Sequence, residues 1–151
     1  MRIVEQRVSN NAVEIFELEE FLSRPLFAHL ATSSEDGPRE SPVWFHWDGK
    51  YVWVIGGTSF PQSIIREPRC AIGIVDFRPS TGLVHHVGMR GSAVVLPFDK
   101  SIVCAVYRKY LGSDQEKWDK RFESSWTGEE EMRLVRFSPE VVVIRDQSYF
   151  P

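Results

Sequence analysis

Apolar positions recur every second residue over most of this chain and every third or fourth residue in a few stretches, with Gly, Pro, Asp and Ser clusters between. The first helical stretch has Asn11 as cap and Ile15, Leu18, Phe21 and Leu22 on one face. Glu14, Glu17, Glu19 and Glu20 lie mostly elsewhere, and Pro25 ends it. An apolar run over 26–32 follows, then the pair Asp36-Gly37, a second run over 41–47, the pair Asp48-Gly49 and a third run over 51–55. Runs joined by such pairs predict an antiparallel meander. The stretch 56–61 breaks the pattern and leads into about two helical turns over 62–67, closed by Pro68. Strand-like runs over 70–77 and 83–96 flank the turn Pro79-Ser80-Thr81-Gly82. Asp99 then caps a helix with Ile102, Val103, Val106, Tyr107 and Tyr110 on one face and Gly112 as its stop. Ser113 with Glu116 forms a capping box for a further helix that carries Trp118 and Phe122 inward. Residues 134–137 and 141–144, apolar and β-branched around Ser138-Pro139, predict a last strand with a break or bulge.

Six strand segments with helices outside them predict a mainly β domain with flanking helices, a closed or nearly closed antiparallel barrel occupying residues 1–151 as one unit. Hydrophobic residues at 42% and charged residues at 26% are ordinary globular values and argue against disorder or coiled coil. Lys plus Arg number 18 against 21 Asp plus Glu, a net charge of −3, so no global basic field gathers nucleic acid or anionic lipid. No apolar run approaches the roughly 20 residues of a membrane span, and Met1-Arg2-Ile3-Val4-Glu5 lacks the apolar stretch of a signal peptide; a cytoplasmic protein without membrane or nucleic-acid partners is the expectation. Cys70 and Cys104 have no CxxC or Cys/His spacing and read as reduced, buried small hydrophobes. The run Glu129-Glu130-Glu131 reads as a solvated loop.

Candidate chemistry narrows by elimination. His29, His46, His85 and His86 do not fall in chelating spacing, and neighbours on a strand point to opposite faces, so His85 and His86 cannot share an ion; no metal site is expected. There is no GxSxG elbow. Gly56-Gly57-Thr58-Ser59 ends a strand and precedes a short helix. Backbone N–H groups and hydroxyls at such a junction suit a phosphate, with Arg66 or Arg69 supplying charge. The same residues serve equally as a glycine turn with Thr58 or Ser59 capping the helix.

Leu30-Ala31-Thr32, the Asp36-Gly37 turn, Ser41-Pro42-Val43-Trp44-Phe45 and Trp47-Asp48-Gly49 together resemble the opening of the pyridoxamine 5'-phosphate oxidase-like, FMN-binding split-barrel family. Arg66-Glu67-Pro68-Arg69 entering an apolar strand, Gly91-Ser92-Ala93-Val94-Val95, and the stretch 135–143 are similar to its later strands. The resemblance implies a six-stranded antiparallel split β-barrel that dimerises with two FMN sites at the subunit interface, acting as an oxidoreductase on a small-molecule substrate or electron donor. The family's ring-contacting strand maps to Ser41, Pro42, Val43 and Trp44, through backbone as well as side chains. Its phosphate segment maps to Ile55, Gly57, Thr58 and Ser59, then Gln62, Ser63 and Arg66. A polar contact maps to His86, and the partner chain is expected to offer Trp126.

Many family members place a Lys where this chain has Ser59-Phe60, and Phe60 cannot meet a phosphate as a point charge. Losing such a contact costs about 1.5 to 3 kcal/mol unless Arg66 or Arg69 compensates. Two alternatives therefore stand beside the FMN oxidoreductase: a non-catalytic dimeric module holding flavin or heme, and a deazaflavin-dependent reductase. In the last, Arg24, Arg39, Arg66, Arg69, Arg78 and Arg90 are the candidates to meet a longer anionic tail. No residue is assigned as catalytic. Trp44, Phe45 and Phe60 are expected to shape the cavity, and His86 or Arg90 to set its polarity. Trp118, Phe122 and Trp126 are candidates for the dimer interface or, equally, for the core.

Overall fold

In the computed structural model, residues 1–7, 16–57, 60–128 and 132–149 are described. The meander anticipated from the turn pairs is present: β2 (Ala28–Ser34) pairs antiparallel with β3 (Gly37–Val43), and β4 (Phe45–Trp47) with β5 (Val52–Gly56). The second run begins earlier than 41, because the tight turn brings Gly37 opposite Ser34 at a φ of 112° that suits glycine. After α2 (Phe60–Arg66) come β6 (Arg69–Arg78) and β7 (Leu83–Leu96). The chain ends its described part in β8 (Arg133–Asp146).

The strand order β3-β2-β6-β7-β8-β5-β4 closes on itself because β3 runs through Trp44 directly into β4. Counting β3 and β4 as one bent strand, six strands form the barrel, and the fold is the split barrel that the sequence predicts. One strand was not anticipated: β1 (Arg2–Arg7) pairs parallel with the second half of β8, setting Ile3 and Val4 beside Val142 and Val143. The first half of β8 pairs with β5 instead. The first predicted helix is described only as α1 (Leu18–Ser23), and its Asn11 and Ile15 lie outside the described residues.

The last strand is continuous rather than broken. Its Pro139 opposes Gly91 and its Val141 opposes Arg90, so Glu140 is the extra residue of the anticipated bulge. The helix capped by Asp99 is α3 (Lys100–Leu111), with the Asp99 side chain accepting from the Ser101 N–H and Gly112 as C-cap. The capping box does not form. Asp114 and Asp119 cap two single 3-10 turns: Asp114 accepts the Glu116 N–H that Ser113 would have taken, and Asp119 accepts from the Arg121 N–H. A short α4 (Glu123–Thr127) follows.

Two apolar clusters result. Inside the barrel, Phe21, Leu30, Phe45, Ile72, Ile74, Val87, Met89, Phe137 and Ile144 are buried. Outside it, between β8 and α3, Val103, Val106, Tyr107, Trp118 and Leu134 are joined by Trp44, Trp53, Phe122 and Trp126. The aromatic surplus is thus largely absorbed within one chain. Trp44 stacks on Tyr110 at 4.7 Å between ring centroids, and Trp118 meets Trp126 edge-on.

Helix α3 also fastens the joint between β3 and β4. Lys109 Nζ donates to the carbonyls of Leu22 and Phe45 at 2.9 and 3.0 Å and lies 3.3 Å above the Phe45 ring. Tyr110 donates its hydroxyl to Leu26 O and accepts from the Phe45 N–H. Burial lowers the Lys109 pKa to about 7 from 10.5. Below about pH 7 the ammonium is charged in folded and unfolded chains alike. Above it the folded chain has released a proton that the unfolded chain still holds, so stability rises with pH. Burial pushes the Cys70 thiol up to about 12 from 9.0, so above pH 9, where the unfolded thiol ionises first, its opposite contribution offsets that of Lys109 and the climb levels off. Urea denaturation is therefore expected to show stability climbing from pH 7 to 9, by up to about 1.4 kcal/mol per pH unit. Lys109→Met should flatten that limb; a flat wild-type profile would refute the buried-lysine account.

Candidate functional site

The outer faces of β2, β6, β7 and β8 form a trough whose composition follows from strand register. Side chains directly opposite share a face, so three rows cross these strands: Ala31, Ala71, Arg90 and Val141; then His29, Gly73, Gly88 and Val143; then Val75, His86 and Arg145. The floor is made of Ala31, Ala71, Gly73 and Gly88, and basic or imidazole side chains rise at its edges, enclosing about 470 Å³. His29 pairs with Glu40 of β3 at one end. At the other, Arg145 donates to His86 at 3.0 Å. Burial, and next the neighbouring Arg145 charge, lower the His86 pKa, so this imidazole is neutral at pH 7.

Along the same face toward α2, a second cavity of about 540 Å³ is lined by Ser33, Arg66, Glu67 and Arg69. A third, about 590 Å³, is lined by Ser34, Glu35, Asp36, Arg39, Gln62, Ser63, Ile65 and Arg66. Arg66 is common to both. Its guanidinium donates to Ser33 O at 3.2 Å and lies 3.3 Å from the exposed carboxylate of Glu35. Arg69 is bound by Glu67 through two hydrogen bonds of 2.9 and 3.1 Å, which hold the Glu67 carboxyl at about 2. Of the two arginines proposed from sequence to meet a phosphate, Arg69 is already neutralised and Arg66 is the more available, because its carboxylate partner is solvated.

The structure gathers some predicted site residues and disperses others. Gln62, Ser63 and Arg66 share one cavity. Gly57 is exposed, with open space where a side chain would stand; Thr58 and Ser59 lie outside the described residues. Ile55 packs into the cluster under α3 instead. Ser41 and Val43 sit opposite Leu30 and Ala28 on the barrel's inner side, whereas Pro42 stands beside His29 at the trough's edge. Trp44, Phe45 and Phe60 line none of these cavities. Phe45 is fully buried in the barrel, Trp44 turns to Tyr110, and Phe60 packs against the core from α2, each drawn away by apolar burial. Trp126 rests on Trp118 of its own chain. A larger apolar cavity of about 890 Å³, between α2 and residues 93–98, contains no predicted site residue.

Sequence reasoning missed Gly73, Gly88 and Arg145. Two-residue alternation in 86–90 places His86, Gly88 and Arg90 on one face, but only the register brings Gly73 and Arg145 to them. Of the two cysteines expected to be buried, Cys104 is and Cys70 is only partly so; the Cys70 thiol, its pKa pushed up to about 12 by desolvation, is no nucleophile. Among the described residues no three His, Cys, Asp or Glu side chains converge as metal ligands, and no helix is long and apolar enough to cross a membrane.

No protein-family model matches the chain, and no curated protein matches it in sequence. Solved structures do. The conserved hypothetical protein Rv2991 from Mycobacterium tuberculosis superposes with a TM-score of 0.70 at 17% identity, over 91% of this chain and 90% of that one. An F420 reductase gives 0.62 at 23% identity, over 85% and 98%. A putative pyridoxamine 5'-phosphate oxidase from Listeria innocua gives 0.61 at 18% identity, over 84% and 94%. At these identities the likeness is one of fold.

Proposed function

We propose, from the split β-barrel fold that this chain shares with pyridoxamine 5'-phosphate oxidase-like proteins, that it binds FMN along the outer face of β2, β6 and β7 and serves as an oxidoreductase on a small organic molecule. The observation that carries this reading is the trough itself. Its floor has no side chain larger than alanine at Ala31, Ala71, Gly73 and Gly88, and it continues to the cavity at Arg66. From Arg69 to Val75 is three two-residue steps along β6, about 20 Å of strand, the scale of an extended flavin mononucleotide. The phosphate belongs at the Arg66 end, with Gln62 and Ser63 as donors; Gly57, Thr58 and Ser59 are the further contacts that the sequence resemblance implies. The ring belongs at the Gly73–Gly88 end, edged by His86 and, beside His29, by Pro42 of β3. A bound flavin supplies the redox chemistry, and the protein holds the ring, fixes its polar contacts and excludes water. Phe27, Val75 and Phe77, each about half exposed beside the trough, are the surface a second copy would cover, which puts the cofactor between subunits.

Fluorescence titration tests this. Wild-type protein is expected to bind FMN with micromolar affinity, and Arg66→Gln to weaken it about ten- to hundredfold by removing the charged phosphate contact. Gly73→Ala adds a methyl whose nearest neighbour is 3.8 Å away, so it should leave the melting temperature alone and lower FMN affinity by narrowing the floor. Absence of FMN binding, or affinity untouched by both substitutions, would reject the site. A deazaflavin titrated in parallel reads whether the longer tail, reaching Arg39 beyond Arg66, is preferred. Light scattering on the same sample should give a dimer; a monomer with full affinity would reject the placement between subunits.

A further inference from the structure

The His86–Arg145 pair decides what kind of chemical group this end of the trough accepts. Arg145 Nη1 lies 3.0 Å from His86 Nδ1. A guanidinium has only donors, so Nδ1 must be the acceptor, and the proton of the neutral ring is then on Nε2. The two glycines make this geometry possible. A methyl at Gly88 would lie 3.2 Å from His86 Cε1 and 3.4 Å from Arg145 Nη1, and one at Gly73 would lie 3.8 Å from His86 Nε2. The imidazole therefore lies over the glycine floor, its Nε2 edge toward Gly73. Around it stand Arg145 from β8, Arg90 from β7 and His29 from β2, whose carboxylate partner is Glu40 of β3; among the described residues, burial and the Arg145 charge are the influences on the ring, and both disfavour a second proton.

We propose that Arg145 is a positioning residue that fixes His86 as an Nε2–H donor over the Gly73–Gly88 floor, so that this end of the trough takes the hydrogen-bond-accepting edge of a ring, a carbonyl or an oxyanion, and refuses a metal-centred ring held through His86. Iron ligation needs an unprotonated ring nitrogen. Freeing Nε2 would move the proton to Nδ1, where it would face the N–H of Arg145, and Nδ1 itself is covered by that guanidinium. The inference deepens the flavin reading as to which edge of the ligand is held, but its tautomer part stands without any ligand.

The first test is long-range proton–nitrogen NMR of ¹⁵N-labelled wild-type protein at neutral pH, with the His86 signals identified by their loss in His86→Gln. A protonated Nε2 and an accepting Nδ1 are expected. Arg145→Met should give a mixture of tautomers, and Arg145→Lys, which also only donates, should restore the single form. A proton on Nδ1 in the wild type overturns the proposal. The second test compares ligands. If FMN binds the wild type, His86→Ala and Arg145→Met should each weaken it about tenfold, and His86→Gln, which keeps an N–H donor, should recover most of the loss. Equal affinity in all four proteins overturns the proposal. With hemin, the absorption spectrum of a histidine-ligated iron that disappears in His86→Ala also overturns it. If the wild type binds no FMN, the flavin reading fails, and the tautomer result alone upholds or rejects the assignment of Arg145.

Discussion

Phe45→Ala is expected to lower the folding free energy by about 3 to 5 kcal/mol, a large share of the about 5 to 15 kcal/mol that holds such a domain together. Phe45 has no exposed surface and sits at the one place where the barrel changes from pairing with β2 to pairing with β5. Its ring supports the Lys109 ammonium from 3.3 Å, and truncation leaves that cation with two carbonyls and a void. The loss therefore combines a cavity with a weakened cation site. Urea denaturation at pH 7 measures it, and a loss below about 1.5 kcal/mol would show that α3 does not clamp the joint as described. Phe45→Leu keeps apolar volume without the ring face, so it should fall between wild type and Ala.

Gly91→Ala is expected to cost about 3 kcal/mol or more and to disturb the trough as well as the fold. A Cβ there would stand 2.1 Å from the Ser138 carbonyl oxygen and 3.1 Å from the Glu140 nitrogen, both backbone atoms that no side-chain rotation can move aside. The strand pair must open at the bulge, and Arg90, next in the chain, lines the trough. Melting and FMN titration should therefore fall together, in contrast to Gly73→Ala, where only the titration moves. A Gly91→Ala protein as stable as wild type would mean that β7 and β8 shift easily past one another at Pro139.

These cases separate what is legible in one sequence from what is not. The Asp-Gly turns, the Asp99 cap and the Gly112 stop are local instructions, readable because each is satisfied by atoms a few residues away. The bulge at Ser138-Pro139 is legible for the same reason: proline cannot donate to a ladder. β1 is not legible, since its short alternation gains meaning only against Val142 and Val143. Ser113 misleads because Asp114, one residue on, competes for the same N–H groups. Of the candidate site, the sequence places Gln62, Ser63 and Arg66 on one short helix, and the structure keeps them together. It says nothing of Glu67 neutralising Arg69 or of Ile55 turning to α3, because both outcomes depend on which neighbours folding supplies.

The amino-acid order by itself determined the six barrel strands, their turns, the α3 cap and the alternation that separates inward from outward residues, all consequences of short-range sterics and hydrogen bonding. Only the tertiary structure decided that the run over 41–47 changes partners at Trp44, from β2 to β5, and that the aromatic surplus fills a cluster beneath α3. It alone brought Gly73 and Arg145 to His86 from strands that lie 13 and 59 residues away along the chain. Register is a long-range property: it emerges when burial of one face selects a single alignment of strands, and no stretch of sequence contains it alone.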